Sequence, residues 1–276
     1  MKYVVTGDWH LRKDRPRCRV DENWLETQYR ALGFVFDLSN ERGVEVIATG
    51  DIFHSPREPH EMVELLDDAI QAAGTAVLMI PGNHDLLYHK FSAGTAYGVS
   101  RRLPYVEEVG EEGVLLERGV RALHRLVFAR AEDRPHPDAG GQTAEELLAE
   151  FPDSKWIFTG DNHQRFHHKK DGRHVVNPGC LLRQNAGEID YRPAVAIVDL
   201  DEETVEWVEI PDGEDLVDDE YLAQAEDRDE RIASFVERVR SRGEITLSFR
   251  ENVRAGLERI PRGVAEIVEE IMEEIR

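Results

Sequence analysis

Four polar clusters, each directly behind a short apolar run, constrain this chain more than any other feature. Asp8-Trp9-His10 follows residues 2–7, and Gly50-Asp51 follows Val44 to Thr49. Gly82-Asn83-His84-Asp85 follows Thr75 to Ile80, and Gly160-Asp161-Asn162-His163 follows Trp156 to Thr159. Such runs, bounded by glycine and turn-forming residues, read as buried strands. Between them, residues 22–41 carry Trp24, Leu25, Leu32 and Phe36 roughly on one side. In residues 59–73, Met62, Leu65, Leu66, Ala69 and Ile70 keep the i, i+3, i+4, i+7, i+8 spacing of an amphipathic helix. The first half therefore alternates strand and helix, the pattern of an α/β domain. Further strands are predicted at 120–129, 174–177, 194–200 and 204–210, and Thr143 with Glu146 forms a capping box for a helix through about Glu150.

Open α/β sheets bind ligands outside the carboxyl ends of their strands, so the four clusters are expected to converge on one site. The i, i+2 spacing of Asp8/His10 and of Asp161/His163 lets an extended chain aim both side chains the same way. The donors are carboxylate, imidazole and one amide, with no thiolate, a mixture that suits Mn²⁺, Fe²⁺ or Zn²⁺ rather than a structural zinc. Two such ions about 4 Å apart can clamp a phosphate ester and activate water for in-line attack. A single polar strand-end turn is ordinary, because Asp and Asn are turn formers. Four of them, with three histidines, are not.

In this order the motifs resemble the calcineurin-like metallophosphoesterase superfamily over about residues 1–210. Gly50-Asp51-Ile52-Phe53-His54 and Asn177-Pro178-Gly179 resemble its DNA-nuclease branch, the SbcD family, and Gly160-Asp161-Asn162-His163-Gln164 is similar to phage-type members of that branch. The resemblance implies a four-layer αββα sandwich over residues 1–211 and metal-assisted hydrolysis of a phosphodiester, with DNA as the favoured substrate. It implies that Asp8, His10 and His163 hold one metal, that Asp51 bridges two, and that Asn83 and Asp161 hold the second, with Mn²⁺ the expected ion. His84 would protonate the leaving group or steady the transition-state charge, and Asp85 would orient it. His54 and Arg57, just after Asp51, are expected to touch the substrate phosphate.

Two departures bear on the second metal. Asp161 stands where the family usually has histidine. Arg130 aligns with a further histidine ligand, and arginine has no lone pair to give. His124, six residues earlier on one continuous strand, would lie roughly 20 Å away, too far to substitute. His136 stays open as a loop-borne replacement. Arg130 is therefore expected to pair with Asp161 or grip a phosphate oxygen, beside a weak second metal site.

A chain of 276 residues accommodates one catalytic domain and a small appendage, and 41% hydrophobic with 33% charged residues describes a globular protein. Asp and Glu total 56 against 34 Lys and Arg, a net charge of −22, which makes a poor generic DNA binder. DNA contact must then come from local basic clusters or a basic partner. Arg12, Lys13, Arg15, Arg17 and Arg19 form one cluster, and Arg165, His167, His168, Lys169, Lys170 and Arg173 another. Two cysteines, Cys18 and Cys180, are too few for a disulfide framework. No apolar run reaches the 18 or so residues of a membrane span, and Met1-Lys2 leads straight into the first strand, leaving no room for a signal peptide; a cytoplasmic location is expected.

Beyond Pro211 an acidic linker and a helical region are predicted over 212–276. There Val264, Ile267, Val268, Ile271, Met272 and Ile275 make an apolar stripe that either packs on the domain or docks a partner. The resemblance implies a coiled-coil ATPase of the SMC type as that partner; a homodimer also stays open. Two rivals stand beside the nuclease reading. One is a phosphatase or nucleotide hydrolase of the same superfamily, and the other a non-catalytic scaffold that lost its second metal.

Overall fold

The computed structural model describes residues 1–108, 114–116, 119–135, 140–211 and 216–218. The chain divides into two compact units, Met1–Asp218 and Asp219–Arg276, and the described residues all fall in the first. His136 and the C-terminal apolar stripe lie outside the described residues.

In chain order the elements begin with β1 (Lys2–Thr6), α1 (Trp24–Arg42), β2 (Glu45–Ala48), α2 (His60–Ala73), β3 (Val77–Met79), α3 (Ala96–Ser100) and β4 (Val106–Glu108). They continue with β5 (Val114–Leu116), β6 (Val120–Ala122), β7 (Val127–Phe128), β8 (Gln142–Thr143) and α4 (Ala144–Glu150). The last are β9 (Trp156–Phe158), β10 (Phe166–Lys170), β11 (Arg173–Asn177), β12 (Ala194–Asp199) and β13 (Thr204–Glu209). One sheet runs β13-β12-β1-β2-β3-β4 and the other β10-β11-β9-β6-β5, with β7 and β8 paired separately. The strands from β1 to β4 are parallel, as are β11, β9 and β6.

Alternation along the strands builds the layers. Val4 packs with Trp24, Leu32, Phe36, Leu66 and Ile70 of α1 and α2, while its neighbours Tyr3 and Val5 join a second cluster with Trp156, Phe158 and Val176 of the other sheet. On that sheet's far face Ile157 and Val175 meet Leu147 and Leu148 of α4. The order helix, sheet, sheet, helix is thus written in side chains, and the αββα sandwich is observed. Local signals agree: Asn23 caps α1, Gly43 and Gly74 end α1 and α2 in the left-handed region, and the Thr143/Glu146 capping box opens α4.

One expectation needs correction. The predicted strand 120–129 is broken: β6 ends at Ala122, the chain crosses as coil, and β7 joins the small separate pair. The basic stretch 165–173 is largely the edge hairpin of β10 and β11. Its cations are mostly held, Lys169 by Glu203 at 2.9 Å, Lys170 by Glu145 at 2.5 Å and Arg165 by Glu209 at 3.3 Å.

In the first basic cluster, Arg19 is buried and clamps Asp21 through Nε and Nη2 at 2.6 and 2.7 Å. It serves the fold rather than a DNA surface. Arg19→Ala would strand a buried carboxylate, and urea unfolding is expected to show a loss of about 3–5 kcal/mol. A loss below about 1 kcal/mol would return Arg19 to the surface cluster.

Candidate metal centre

The carboxyl ends of β1, β2 and β3 from one sheet meet those of β6 and β9 from the other. Trp9, fully buried, packs edge-on to Phe36 at 6.2 Å and donates Nε1–H to Thr6 Oγ1, which anchors the first turn. That turn is laced to the second: Asp8 N–H donates to Gly50 O, His10 N–H to Asp51 O and His54 N–H to Leu11 O. Asp8 (φ 47°), His10 (φ 45°), Asp51 (φ 49°) and Asp161 (φ 71°) all sit in the left-handed region. Each such residue costs on the order of 1–3 kcal/mol, strain that concentrates at functional sites. Two glycines give the clearance: a Cβ on Gly82 would lie 2.0 Å from Asp51 Oδ1, and one on Gly50 would lie 2.4 Å from His124 Nδ1.

Asp51 is the hub. Its Oδ1 accepts the His84 N–H at 2.9 Å, while Oδ2 lies 3.6 Å from His10 Nε2 and 3.4 Å from His124 Nε2. Around it two donor groups share Asp8, Asp8/His10/His163 and Asp8/Asp51/His124, each with ligand atoms within 4.8 Å of one another, and His10/His54/His84 form a further such group of imidazoles alone. Asn83 Oδ1 is 2.9 Å from His124 Nε2, and Asp161 Oδ1 is 3.8 Å from the same nitrogen. The Asp161 N–H donates to both oxygens of Asp8. The sequence-derived residues Asp8, His10, Asp51, Asn83, Asp161 and His163 are therefore brought together.

His124 is the residue that sequence reasoning rejected. The 20 Å separation assumed an unbroken strand, whereas β6 ends at Ala122 and leaves His124 at a strand's carboxyl end like the other donors. Its Nδ1 faces Thr49 O at 2.8 Å. A carbonyl only accepts, so Nδ1 carries a proton, and Nε2 is the nitrogen turned toward Asp51 and Asn83 Oδ1. Arg130 does not take that place. It precedes a short 3₁₀ turn with its guanidinium largely exposed, 3.7 Å from Glu132, and no hydrogen bond or ion pair joins it to Asp161.

Asp85 also departs from its expected role. Buried, it accepts N–H bonds from Ile52, Phe53 and Gly82 at 3.1, 2.9 and 2.8 Å, tying the Asp51 turn to the Asn83 turn. His84 is oriented instead by the His54 carbonyl, 2.7 Å from its Nδ1. The His54 ring stands 5.5 Å from that of His84, and Arg57 is exposed beyond it. Of the basic residues near the turns, Arg12 is half-buried and its Nε has no hydrogen-bond partner among the described residues.

The electrostatics fit a cation. Burial, with Asp51 adding to it, pushes Asp8 up to about 6 against the pull of His124 and His163. Burial opposes charge on His124, but the hydrogen bond and charge of Asp51 outweigh it and raise His124 to about 10. His163 rises against burial to about 9 through Glu188 and Asp8. His10, dominated by burial, falls to about 3; its Nδ1 has no hydrogen-bond partner among the described residues and its Nε2 faces His163 Nε2 at 3.2 Å. Two imidazole nitrogens aimed at one point beside buried carboxylates are the donor arrangement that a divalent ion satisfies.

The family model of the calcineurin-like phosphoesterases matches residues 1–193. Among solved structures, the chain is similar to one described as a novel archaeal phosphodiesterase, at 14% identity and TM-score 0.47 over 76% of this chain and 99% of that one. It is also similar to the protein TT1561 of Thermus thermophilus, at 11% identity and TM-score 0.49 over 76% of this chain and 98% of that one. No curated protein matches the chain.

The placement of His124 yields a direct contrast. His124→Ala is expected to lower bound Mn²⁺ by about one ion per chain in elemental analysis, since one of the two donor groups loses its imidazole. Arg130→Ala should leave the metal content unchanged. The reverse pattern would restore Arg130 to the site.

Proposed function

Because the chain belongs to the calcineurin-like phosphoesterase family of metal-dependent enzymes, we propose that it hydrolyses phosphodiesters, with DNA as substrate and Mn²⁺ as the working ion. The observation that carries this reading is a pair of donor groups, Asp8/His10/His163 and Asp8/Asp51/His124, that share Asp8 and face Asp51 through His10 and His124, with the His84 ring beside that of His10. Asp8, His10, Asp51 and His163 would hold one ion, and Asp51, Asn83, His124 and Asp161 the other. Bound divalent ions in such a centre polarise the phosphoryl group and make water a nucleophile near neutral pH.

The remaining work falls to side chains of this chain. The bond from His84 Nδ1–H to His54 O leaves Nε2 facing away from the backbone, and in the imidazolium form Nε2–H would give its proton to the leaving oxygen or donate to a phosphate oxygen. Asp85 sets where that ring sits by fixing both turns through three backbone bonds. Arg12, half-buried and two residues after His10, would supply the charge for phosphate binding; burial first, then the Arg12 charge, holds His54 down to about 4.

DNA is supported by the nuclease-like motifs at Asp51–His54 and Asn177–Gly179. The pairing of the basic clusters favours a second reading, a phosphodiesterase of small molecules, because fewer cations stand free than their number implies. Exposed pairs such as Lys170–Glu145 stabilise little and can be exchanged for phosphate contacts; buried Arg19 cannot. The SMC-type ATPase partner is proposed on the C-terminal stripe alone.

Activity on single- and double-stranded DNA and on a small artificial diester, with Mn²⁺ and then with chelator, separates these readings. Hydrolysis of DNA that chelator abolishes is expected, and hydrolysis of the small diester alone would select the second reading. His84→Ala should lower kcat by roughly 10²–10⁴ while the Mn²⁺ content stays the same. Loss of metal in that variant would make His84 a ligand instead.

A further inference from the structure

We propose that Glu188, on the loop after β11, is the positioning residue that holds the His163 imidazole in the tautomer and rotation a bound cation requires. No sequence motif singled out Glu188. It lies 25 residues past His163 in a stretch of ordinary composition, yet it is buried, at 3% exposure.

The two nitrogens of His163 have separate neighbours. Nε2 faces His10 Nε2 at 3.2 Å, inside the donor group with Asp8, while Nδ1 lies 2.5 Å from Glu188 Oε1. An ionised carboxylate only accepts, so a proton stands on Nδ1, which leaves Nε2 as the nitrogen that would face a bound cation. The carboxylate itself cannot turn. Its Oε2 accepts the backbone N–H groups of Gln184 and Asn185 at 2.7 and 3.3 Å, and Oε1 also accepts the Asn185 side-chain amide.

This arrangement distinguishes orientation from direct ligation. His163, Cys180 and Glu188 have ligand atoms within 4.8 Å of one another and could be taken for a separate metal group. Both oxygens of Glu188 are already committed to four donors, and His163 meets it through the nitrogen opposite to the one beside His10. The loop is also anchored to the first ligand turn, since Gln184 Nε2 donates to the Trp9 and His10 carbonyls at 3.2 Å each. Glu188 thus couples the turn of Asp8 and His10 to the orientation of His163.

Glu188→Gln is a severe test for a change of one atom. The two backbone N–H groups are fixed and require an oxygen, so the new amide NH₂ must face His163 Nδ1. The imidazole then accepts at Nδ1 and carries its proton on Nε2, the nitrogen needed for the ion.

The inference rests on the metal-centre reading, and the experiment keeps the two apart. Free Mn²⁺ measured by electron paramagnetic resonance should give tight binding to the unmodified protein and 10- to 100-fold weaker binding to Glu188→Gln, roughly the usual cost of removing a partner that orients a ligand. Nitrogen-15 spectra of the unmodified, Zn²⁺-loaded protein should show His163 protonated on Nδ1 and bare on Nε2, a result that does not depend on the variant folding. Equal Mn²⁺ affinity in the variant, or a His163 proton on Nε2 in the unmodified protein, overturns the role of Glu188 and leaves the centre standing. No Mn²⁺ binding by the unmodified protein overturns both.

Discussion

The structure depends on keeping two carboxylates, Asp8 and Asp51, almost entirely out of water at the point where two sheets present their strand ends. Charges so placed are costly unless countered, and the protein surrounds them with imidazoles from four separate turns. The fold supplies the geometry. Parallel strands aim their carboxyl ends in one direction, and in a sandwich of two sheets both sets of ends open on the same edge. The left-handed backbone of Asp8, His10, Asp51 and Asp161, with glycines packed against Asp51 and His124, shows how tightly that edge is drawn together.

Most of this was legible because strand ends and ligand types coincide in the sequence. Val4 with Tyr3 and Val5, and Ile157 with Trp156 and Phe158, show why the layers could be expected: period-two alternation assigns each side chain to one core or the other. His124 was lost for one physical reason. No glycine or proline interrupts Val120 to Ala129, and the polar pair His124-Arg125 is also compatible with one face of a half-exposed strand, so an ended strand and a continuing one look alike. The break comes from pairing, since Val120–Ala122 pairs with β9 while Val127 and Phe128 pair with β8. Glu188 was invisible for a different reason, because a lone glutamate acquires meaning only when a distant loop folds over His163. Asp85 sits in the right motif, but the sequence could not show that its partners are backbone amides rather than the neighbouring imidazole.

Charge carries the same lesson. A count of cations near the motifs pointed to two basic faces, but position divides them. Arg19 is internal, Lys169 and Lys170 are exposed and paired, and Arg12 combines partial burial with an Nε that has no hydrogen-bond partner among the described residues. In a chain of net charge −22, the proposed phosphate contacts would come from a single placed guanidinium rather than from a diffuse basic surface.

The central claim is that Asp51 joins two divalent-ion sites. Anomalous diffraction from a crystal of the unmodified protein soaked in Mn²⁺ tests it most directly. The account predicts two anomalous peaks per chain, one on each side of the Asp51 carboxylate, the second within ligand reach of His124. A single peak, or two peaks that leave Asp51 uncoordinated, would contradict it.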